Sequence, residues 1–186
     1  MRRMFEKCKK DSINFMDDII IKSRGMELHQ MVEQHVLAFI PNISAENKRE
    51  FAEVYELDPQ KSLLRFVDIP GNYAVVRNGK VLALTGVHTM DDGEGMMWAL
   101  FAEDMKKQFV RFVRASTDLI QFYHSIYPVL NCDVWIENAM IHQWLALLEF
   151  HPEFGYEQNG QQIVRAVRYC SEDETELSSG QRPVVH

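Results

Sequence analysis

The strongest structural signal in this sequence is an Asn78-Gly79 pair between two runs rich in β-branched and apolar residues. Both central positions of a two-residue hairpin turn need a positive φ, which Asn and Gly adopt at little cost. The flanking runs, 73–77 and 80–87, are therefore predicted to be antiparallel strands. A second turn at 91–95 leads into a third run at 96–101, so the pattern predicts a three-stranded meander.

The chain after the meander alternates between helical and extended patterns. Apolar residues recur at helical spacing from about 104 to 127, and Pro128 ends that pattern. An apolar run at 130–136 predicts a central strand that is covered on both faces. The remaining predictions are a helix at 139–149 and a final hairpin with strands near 153–157 and 162–170.

The chain before the meander is predicted to be mostly helical. The predicted elements are a strand at 4–9, a helix from Asp11 or Ser12 to Gly25, a helix at 27–39 and a short helix from Ser44. The order β-α-α-β-β-β-α-β-α-β-β then predicts an α/β (α+β) fold. In this fold a mixed, mostly antiparallel central sheet carries helices on both faces.

Composition limits the class of protein. An apolar fraction of 46% and a charged fraction of 25% are typical of a globular domain. We expect one domain at 1–170, with an extra helical part at 11–66, and a flexible acidic tail at 171–186. The net charge of −7 disfavours general nucleic-acid binding, which needs a basic surface. A local basic patch remains possible on a chain with this net charge.

Several further classes are excluded by pattern. No run of about 18 apolar residues is present, so we expect no membrane span. The first seven residues lack the apolar core of a signal peptide, which indicates a cytoplasmic location. Three widely spaced cysteines and seven scattered histidines offer no metal-ligand spacing, so we expect no metal.

The segment from Val134 to Phe150 resembles the strand 5 to helix 4 segment of the GNAT superfamily of N-acyltransferases. Asn138 stands at the family's Asn position, and Trp144 lies near a position where many members have Tyr. Phe150 matches the Phe of the family's Gly-Phe pair, but Glu149 replaces the Gly. More narrowly, the chain resembles a GNAT-like group encoded by tailed phages, some of whose members are internal virion or virion-assembly proteins. The residues that carry this narrower resemblance are Trp98, Lys107, Phe109, Arg111, Arg114, Tyr127, Pro128, Trp135, Asn138, Trp144 and Leu148.

The resemblance implies where an acyl-CoA cofactor would bind. The strands at 96–101 and 130–136 would splay apart, and their free backbone groups, including those of Trp98, Ala99 and Leu100, would hold the pantetheine arm. The family then has a glycine-rich loop that gives its amide groups to the diphosphate. Here that segment, 102–107, contains no glycine and carries Glu103 and Asp104. These acids are predicted to satisfy the helix N-terminus themselves and to repel a diphosphate.

Other candidate residues have two interpretations each. Lys107, Arg111 and Arg114 share one helix face, so they either reach phosphates from the side or form a solvated face of an amphipathic helix. Asn138 either contacts a ligand or caps a helix. Glu94 would be a base if it is not simply a turn residue. Tyr123 would be a proton donor if it is not a core tyrosine.

Two functions follow as hypotheses. The first is a phage-type GNAT-fold protein with a degenerate acyl-CoA site and no cofactor. It would act with other phage or virion proteins in virion assembly, or as an internal virion protein, in the host cytoplasm or packaged in the particle. The alternative is an active N-acyltransferase that moves an acetyl group from acetyl-CoA to a primary amine.

Overall fold

The computed structural model describes residues 19–170, and one eight-stranded sheet runs through this part of the chain. The strand order is β1-β2-β3-β4-β5-β6-β8-β7. The strands are β1 (Ile19–Ser23), β2 (Met26–Gln30), β3 (Asn72–Arg77), β4 (Lys80–Thr89), β5 (Gly95–Phe101), β6 (Val129–Trp135), β7 (His151–Gln158) and β8 (Gln161–Tyr169). Neighbouring strands are antiparallel except for the pair β5–β6, because a helical crossover connects those two.

Helices cover both faces of the sheet. The helices are α1 (Glu33–Phe39), α2 (Ala45–Glu53), α3 (Pro59–Leu64), α4 (Phe109–His124) and α5 (Ala139–Leu147). Buried residues of α4 and α5 share one apolar cluster with the sheet, and those of α1, α2 and α3 share another. The predicted fold class, a mixed and mostly antiparallel sheet between helical layers, is therefore confirmed.

Tight turns fix the register of the hairpins. The pairs Arg24-Gly25, Asn78-Gly79 and Asn159-Gly160 each have positive φ at both positions. The second and third pairs confirm the hairpins that the Asn-Gly signal predicted. The three meander strands and β6 also lie where they were expected, within about two residues.

The prediction for residues 19–30 is wrong, because they form the hairpin of β1 and β2 instead of helix. The apolar residues of 13–20 have a helical spacing, but the β-branched run Ile19-Ile20-Ile21 favours a strand. The predicted helix at 27–39 is shorter in the structure, Glu33–Phe39, because the residues before it form β2, which pairs with β3. The predicted strand at 4–9, the start of the first helix and the tail at 171–186 lie outside the described residues.

Helix boundaries differ in one place that matters for the site. The long helix was predicted from about 104, but Glu103–Gln108 winds as a 3₁₀ helix and the α-helix begins at Phe109. The short helix from Ser44 is confirmed, because the Ser44 hydroxyl accepts a hydrogen bond from the Asn47 amide. Between residues 19 and 170, no helix combines the length and the apolar character needed to cross a membrane.

Gly86 lies in a closely packed part of the meander, where a larger side chain has no room. A Cβ at this position would collide with Oδ1 of Asn72 and would lie 2.5 Å from Nε1 of Trp98. These two side chains hydrogen-bond each other at 3.2 Å, so moving either one to make room would break this hydrogen bond. We expect Gly86→Ala to lower the free energy of unfolding by about 1–3 kcal/mol in urea denaturation.

The matched control is Gly155→Ala on β7. Its added Cβ meets only the Ile163 carbonyl oxygen at 3.5 Å, an ordinary contact. This change should stay within about 0.5 kcal/mol of the parent chain. Equal losses in the two variants would contradict the packing argument.

Candidate functional site at the splayed strands

The parallel pair β5–β6 opens towards its carboxyl end. Its register covers three pairs, from Gly95 with Leu130 to Met97 with Cys132. Beyond them, β5 continues along β4 to Phe101, and β6 continues along β8 to Trp135. The two strands therefore separate into a V-shaped opening, which we call the strand gap. Its position is the one that the GNAT resemblance implied.

Backbone alternation decides which groups face the strand gap. In an antiparallel ladder, alternate residues direct both backbone groups towards the same neighbour. The Ala102 amide donates to a carbonyl of β4 at 2.9 Å, so Trp98 and Leu100 also point towards β4. The backbone groups of Ala99 and Phe101 therefore point into the gap. Of the three residues that the sequence assigned to the pantetheine arm, only Ala99 has gap-facing backbone groups.

Other residues of the chain hydrogen-bond the backbone amide and carbonyl of Phe101. The Ser44 amide donates to the Phe101 carbonyl at 2.9 Å. The Phe101 amide donates to Oδ1 of Asn47 at 2.8 Å. The segment before α2 thus pairs with the free end of β5, and Ile43 forms a β-bridge with Ala102. These contacts satisfy both gap-facing backbone groups of Phe101.

A buried polar network extends from this contact across the gap. Asn47 Nδ2 donates to Oε2 of Glu50 at 3.2 Å, and Asn138 Nδ2 donates to the same oxygen at 2.9 Å. Asn138 also accepts from the Ile141 amide at 3.4 Å, which makes it the N-cap of α5, as one interpretation predicted. Asn47, Glu50 and Asn138 are all buried. The network therefore connects the end of β5, through α2, to the turn that follows β6.

The Glu50 carboxyl is the unusual member of this network. Burial raises its pKa above the ordinary value, although hydrogen bonds from Asn138, Asn47 and Tyr55 oppose that effect. The sequence analysis did not identify Asn47 or Glu50. A signal was present, because both lie on the same face of α2 as the buried Phe51. A polar residue at an inward helical position requires a partner in the fold.

Aromatic side chains close the opposite face of the gap. Phe101 makes edge contacts with Phe112 of α4 and Trp144 of α5, with ring centroids 5.2 and 5.4 Å apart. Trp144 is fully buried, and its Nε1 donates to Oγ of Ser116 at 3.0 Å. The indole thus joins α4 to α5 beside the gap. The indole N–H is a hydrogen-bond donor only, so Trp144 cannot act as an acid or base.

The acids before α4 do not cap its amides, so that prediction is wrong. Glu103 pairs with Lys106 at 2.8 Å, and Asp104 pairs with Lys107 at 3.0 Å and Lys80 at 3.3 Å. Ala102, at the N-cap position of the 3₁₀ helix, makes no side-chain cap. The 3₁₀ winding places each acid beside the lysine three residues later, and this geometry favours ion pairs over capping.

The start of α4 forms one wall of an open basic depression of 460 Å³. The charged residues that line it are Arg24, Lys106, Lys107, Arg111 and Arg114. The predicted shared face of Lys107, Arg111 and Arg114 is thus present. Arg24 joins them from the β1–β2 turn, a hairpin that the sequence pattern did not predict.

The two candidate catalytic residues lie apart from each other. Glu94 is at the closed end of the gap, where its Oε2 accepts from Asn131 Nδ2 at 2.6 Å. Tyr123 is fully buried and stacks on Tyr73, with ring centroids 6.3 Å apart. Burial raises the pKa of Tyr123, so its hydroxyl keeps its proton. This placement agrees with the core interpretation of Tyr123 and does not favour proton transfer.

Trp98 and Leu100 belong to the apolar layer under α1, α2 and α3. In the part of the chain that is described, no three His, Cys, Asp or Glu side chains group closely enough to hold a metal ion. The absence of a metal stays a prediction.

Comparison with solved structures identifies the fold. A GNAT-family acetyltransferase from Bacillus anthracis superposes with a TM-score of 0.65 at 7% identity, covering 80% of this chain and 97% of that one. RimL, a ribosomal L7/L12 α-N-protein acetyltransferase solved in complex with coenzyme A, gives 0.64 at 13% identity, with coverage of 82% and 98%. A ribosomal-protein-S5-alanine acetyltransferase from Vibrio fischeri gives 0.58 at 10%, with coverage of 82% and 97%.

The chain therefore has the GNAT acetyltransferase fold over almost the full length of these proteins. No protein-family model matches the sequence, and no curated protein sequence matches it either. At these low identities the likeness concerns the fold alone. Function must be argued from the strand gap and its surroundings.

Replacing Glu50 by Gln should change how stability depends on pH. The unfolded carboxyl ionises near its ordinary value of 4.5, whereas the folded pKa is raised. The stability contributed by the protonated carboxyl is therefore fully present below pH 4.5 and is lost as the pH rises through the folded pKa. Glu50→Gln lacks this loss, so its stability relative to the parent chain should increase with pH above 4.5.

Urea denaturation between pH 4 and pH 8 measures this difference. Glu53→Gln on the same helix is the control, because Glu53 is 40% exposed and Arg49 is its one ion-pair partner within residues 19–170. It should shift stability by no more than about 1 kcal/mol. A constant difference between Glu50→Gln and the parent chain across this range would show that Glu50 is not buried as described.

Proposed function

We propose that this chain is a GNAT-fold protein whose strand gap is held closed by its own residues, and that it acts as a binding partner in phage assembly or inside the virion. The observation that carries the proposal is the occupied backbone of Phe101, held by Ser44 and Asn47. A pantetheine arm in the strand gap would bond to gap-facing backbone groups of β5, and Phe101 carries two of them. The chain therefore competes with the cofactor at the centre of the site.

The energy of this competition favours the closed gap. Admitting a ligand would break the two hydrogen bonds that Ser44 and Asn47 make to the backbone of Phe101, and it would leave Oδ1 of Asn47 with only its bond from the Ser44 hydroxyl among residues 19–170. Each buried polar group left unsatisfied costs about 1–3 kcal/mol. Binding at a micromolar Kd supplies only about 8 kcal/mol in total. Reopening the gap would consume a large share of that free energy.

The assembly role rests on resemblance and on the separation of fold from function. The phage-type residues include Trp135, Asn138 and Trp144, all of which are buried. In this chain Asn138 caps α5 and holds Glu50, while Trp144 joins α4 to α5. These roles are structural, so the residues preserve the frame without requiring catalysis. Partners would be other proteins of the phage or its virion, in the host cytoplasm or in the particle.

An active N-acyltransferase is the second candidate. The observation that favours it is the basic depression beside the strand gap, which could receive the diphosphate of a cofactor. RimL, a protein of the same fold, was solved with coenzyme A. This candidate requires α2 to withdraw from Phe101 when the cofactor binds. Ala99, Lys107, Arg111 and Asn138 would then contact acetyl-CoA, and Glu94 would be the nearest candidate base.

Isothermal titration calorimetry with acetyl-CoA separates the two candidates. We expect no saturable heat at about 100 µM protein and ligand, because the gap is filled. RimL titrated under the same conditions provides the positive control. Saturable binding, together with acetylation of a primary amine detected by mass spectrometry, would replace the assembly proposal with the enzyme.

The assembly role has its own test. If the chain is a virion component, quantitative mass spectrometry of purified particles should detect it at a reproducible copy number. An internal protein should resist protease added to intact particles and become sensitive after the particles are opened. Particles that lack the protein, with normal yield and infectivity after gene deletion, would remove this role.

A further inference from the structure

The basic depression continues into a second depression on the other side of the 3₁₀ helix. The two share Lys107 and Gln108, and the second adds Arg77 and Lys80 from the β3–β4 hairpin. We call the combined region the basic surface. Its cations are Arg24, Arg77, Lys80, Lys106, Lys107, Arg111 and Arg114.

The charges on this surface do not cancel. Glu46, Glu103 and Asp104 form the ion pairs of its three lysines. Arg24, Arg77, Arg111 and Arg114, in contrast, make no ion pair with any residue between 19 and 170. The surface therefore carries four more cations than carboxylates, on a chain whose net charge is −7. A local excess of this kind produces a positive potential that attracts anions.

The unpaired cations are arginines, which suit phosphate oxygens. A guanidinium group is planar and offers several donors, so it binds phosphate with defined geometry. Arg111 and Arg114 lie one turn apart at the start of α4, about 4.5 Å along its axis. The positive end of the α4 dipole adds to their field. Arg24 and Arg77 flank them from two hairpin ends.

We propose that the basic surface binds the phosphodiester backbone of a nucleic acid. This inference rests on the proposed function, because a closed strand gap leaves these cations without the pantetheine-bearing cofactor. The surface spans two depressions, so it fits a chain of phosphates better than one diphosphate. Gln108, which lines both depressions, accepts hydrogen bonds from Arg77 and Arg111 at its side-chain oxygen and so holds these two guanidinium groups together. Contacts from such cations to phosphates position a nucleic acid without reading its sequence.

Fluorescence anisotropy of a labelled 20-base-pair duplex of arbitrary sequence tests the proposal with the full chain. About three phosphate contacts give a slope near −3 for log affinity against log salt. Affinity should then fall about 50-fold between 50 and 200 mM NaCl. A duplex of scrambled sequence should bind equally well. Arg111→Gln with Arg114→Gln should weaken binding at least about tenfold at 50 mM NaCl and reduce the slope by about 2.

The matched control removes two charges elsewhere. Lys48 and Arg65 are exposed and lie outside both depressions, so Lys48→Gln with Arg65→Gln should leave binding within about twofold. Equal losses in the two double variants would show a non-local charge effect and overturn the proposal. No binding of the parent chain at 50 mM NaCl would also overturn it. So would binding to phosphatidylserine vesicles without binding to the duplex.

A parallel titration separates this inference from the proposed function. Adenosine 3′,5′-diphosphate carries phosphates without a pantetheine arm, whereas acetyl-CoA carries both. If acetyl-CoA binds more than about tenfold tighter than the diphosphate, the arm enters the gap and the proposed function fails, whatever the duplex does. If the two ligands bind alike and the duplex does not bind, only the nucleic-acid inference fails.

Discussion

The hydrogen bond from the Phe101 amide to Asn47 is the contact on which the rest of the site depends. Two parallel strands that separate leave backbone groups without partners, and buried groups of this kind are costly. In this chain α2 supplies the partners through Asn47 and passes the connection to Glu50 and Asn138. The backbone of Phe101, at the separated end of β5, is therefore satisfied by the protein itself.

Phe101 connects the helices on both faces of the sheet to the strand gap. On one face, the ring of Phe101 packs against Phe112 and Trp144, and on the other its backbone joins the polar network of α2. The GNAT fold is present, and the backbone of Phe101 beside the strand gap is bonded by the chain itself. The charged features remain at the surface, around the 3₁₀ helix before α4, where Arg111 and Arg114 face solvent. The basic surface is therefore built from residues other than those of the polar network at the strand gap.

Sequence reasoning succeeded where a local rule was sufficient. Asn78-Gly79 and Asn159-Gly160 specify hairpins because their residues accept positive φ. Arg24-Gly25 adopts the same turn, but Arg carries no such signal, so the first hairpin was mistaken for helix. In the candidate site, the strand positions of Trp98, Ala99 and Leu100 and the capping role of Asn138 followed from pattern. Which of the three strand residues faces the gap depended on ladder register, which needs the paired strand.

The sequence by itself determined the fold class, the meander and the crossover through α4, because hydrophobic periodicity and turn chemistry act over short distances. The position of the strand gap was implied by the GNAT resemblance. Only the tertiary structure decided that the chain itself bonds the backbone of Phe101, since Asn47 and Glu50 meet Phe101 and Asn138 from 54 and 88 residues away. The structure likewise decided that Arg24 joins Arg111 and Arg114. Contacts between distant segments depend on packing, and no local pattern records them.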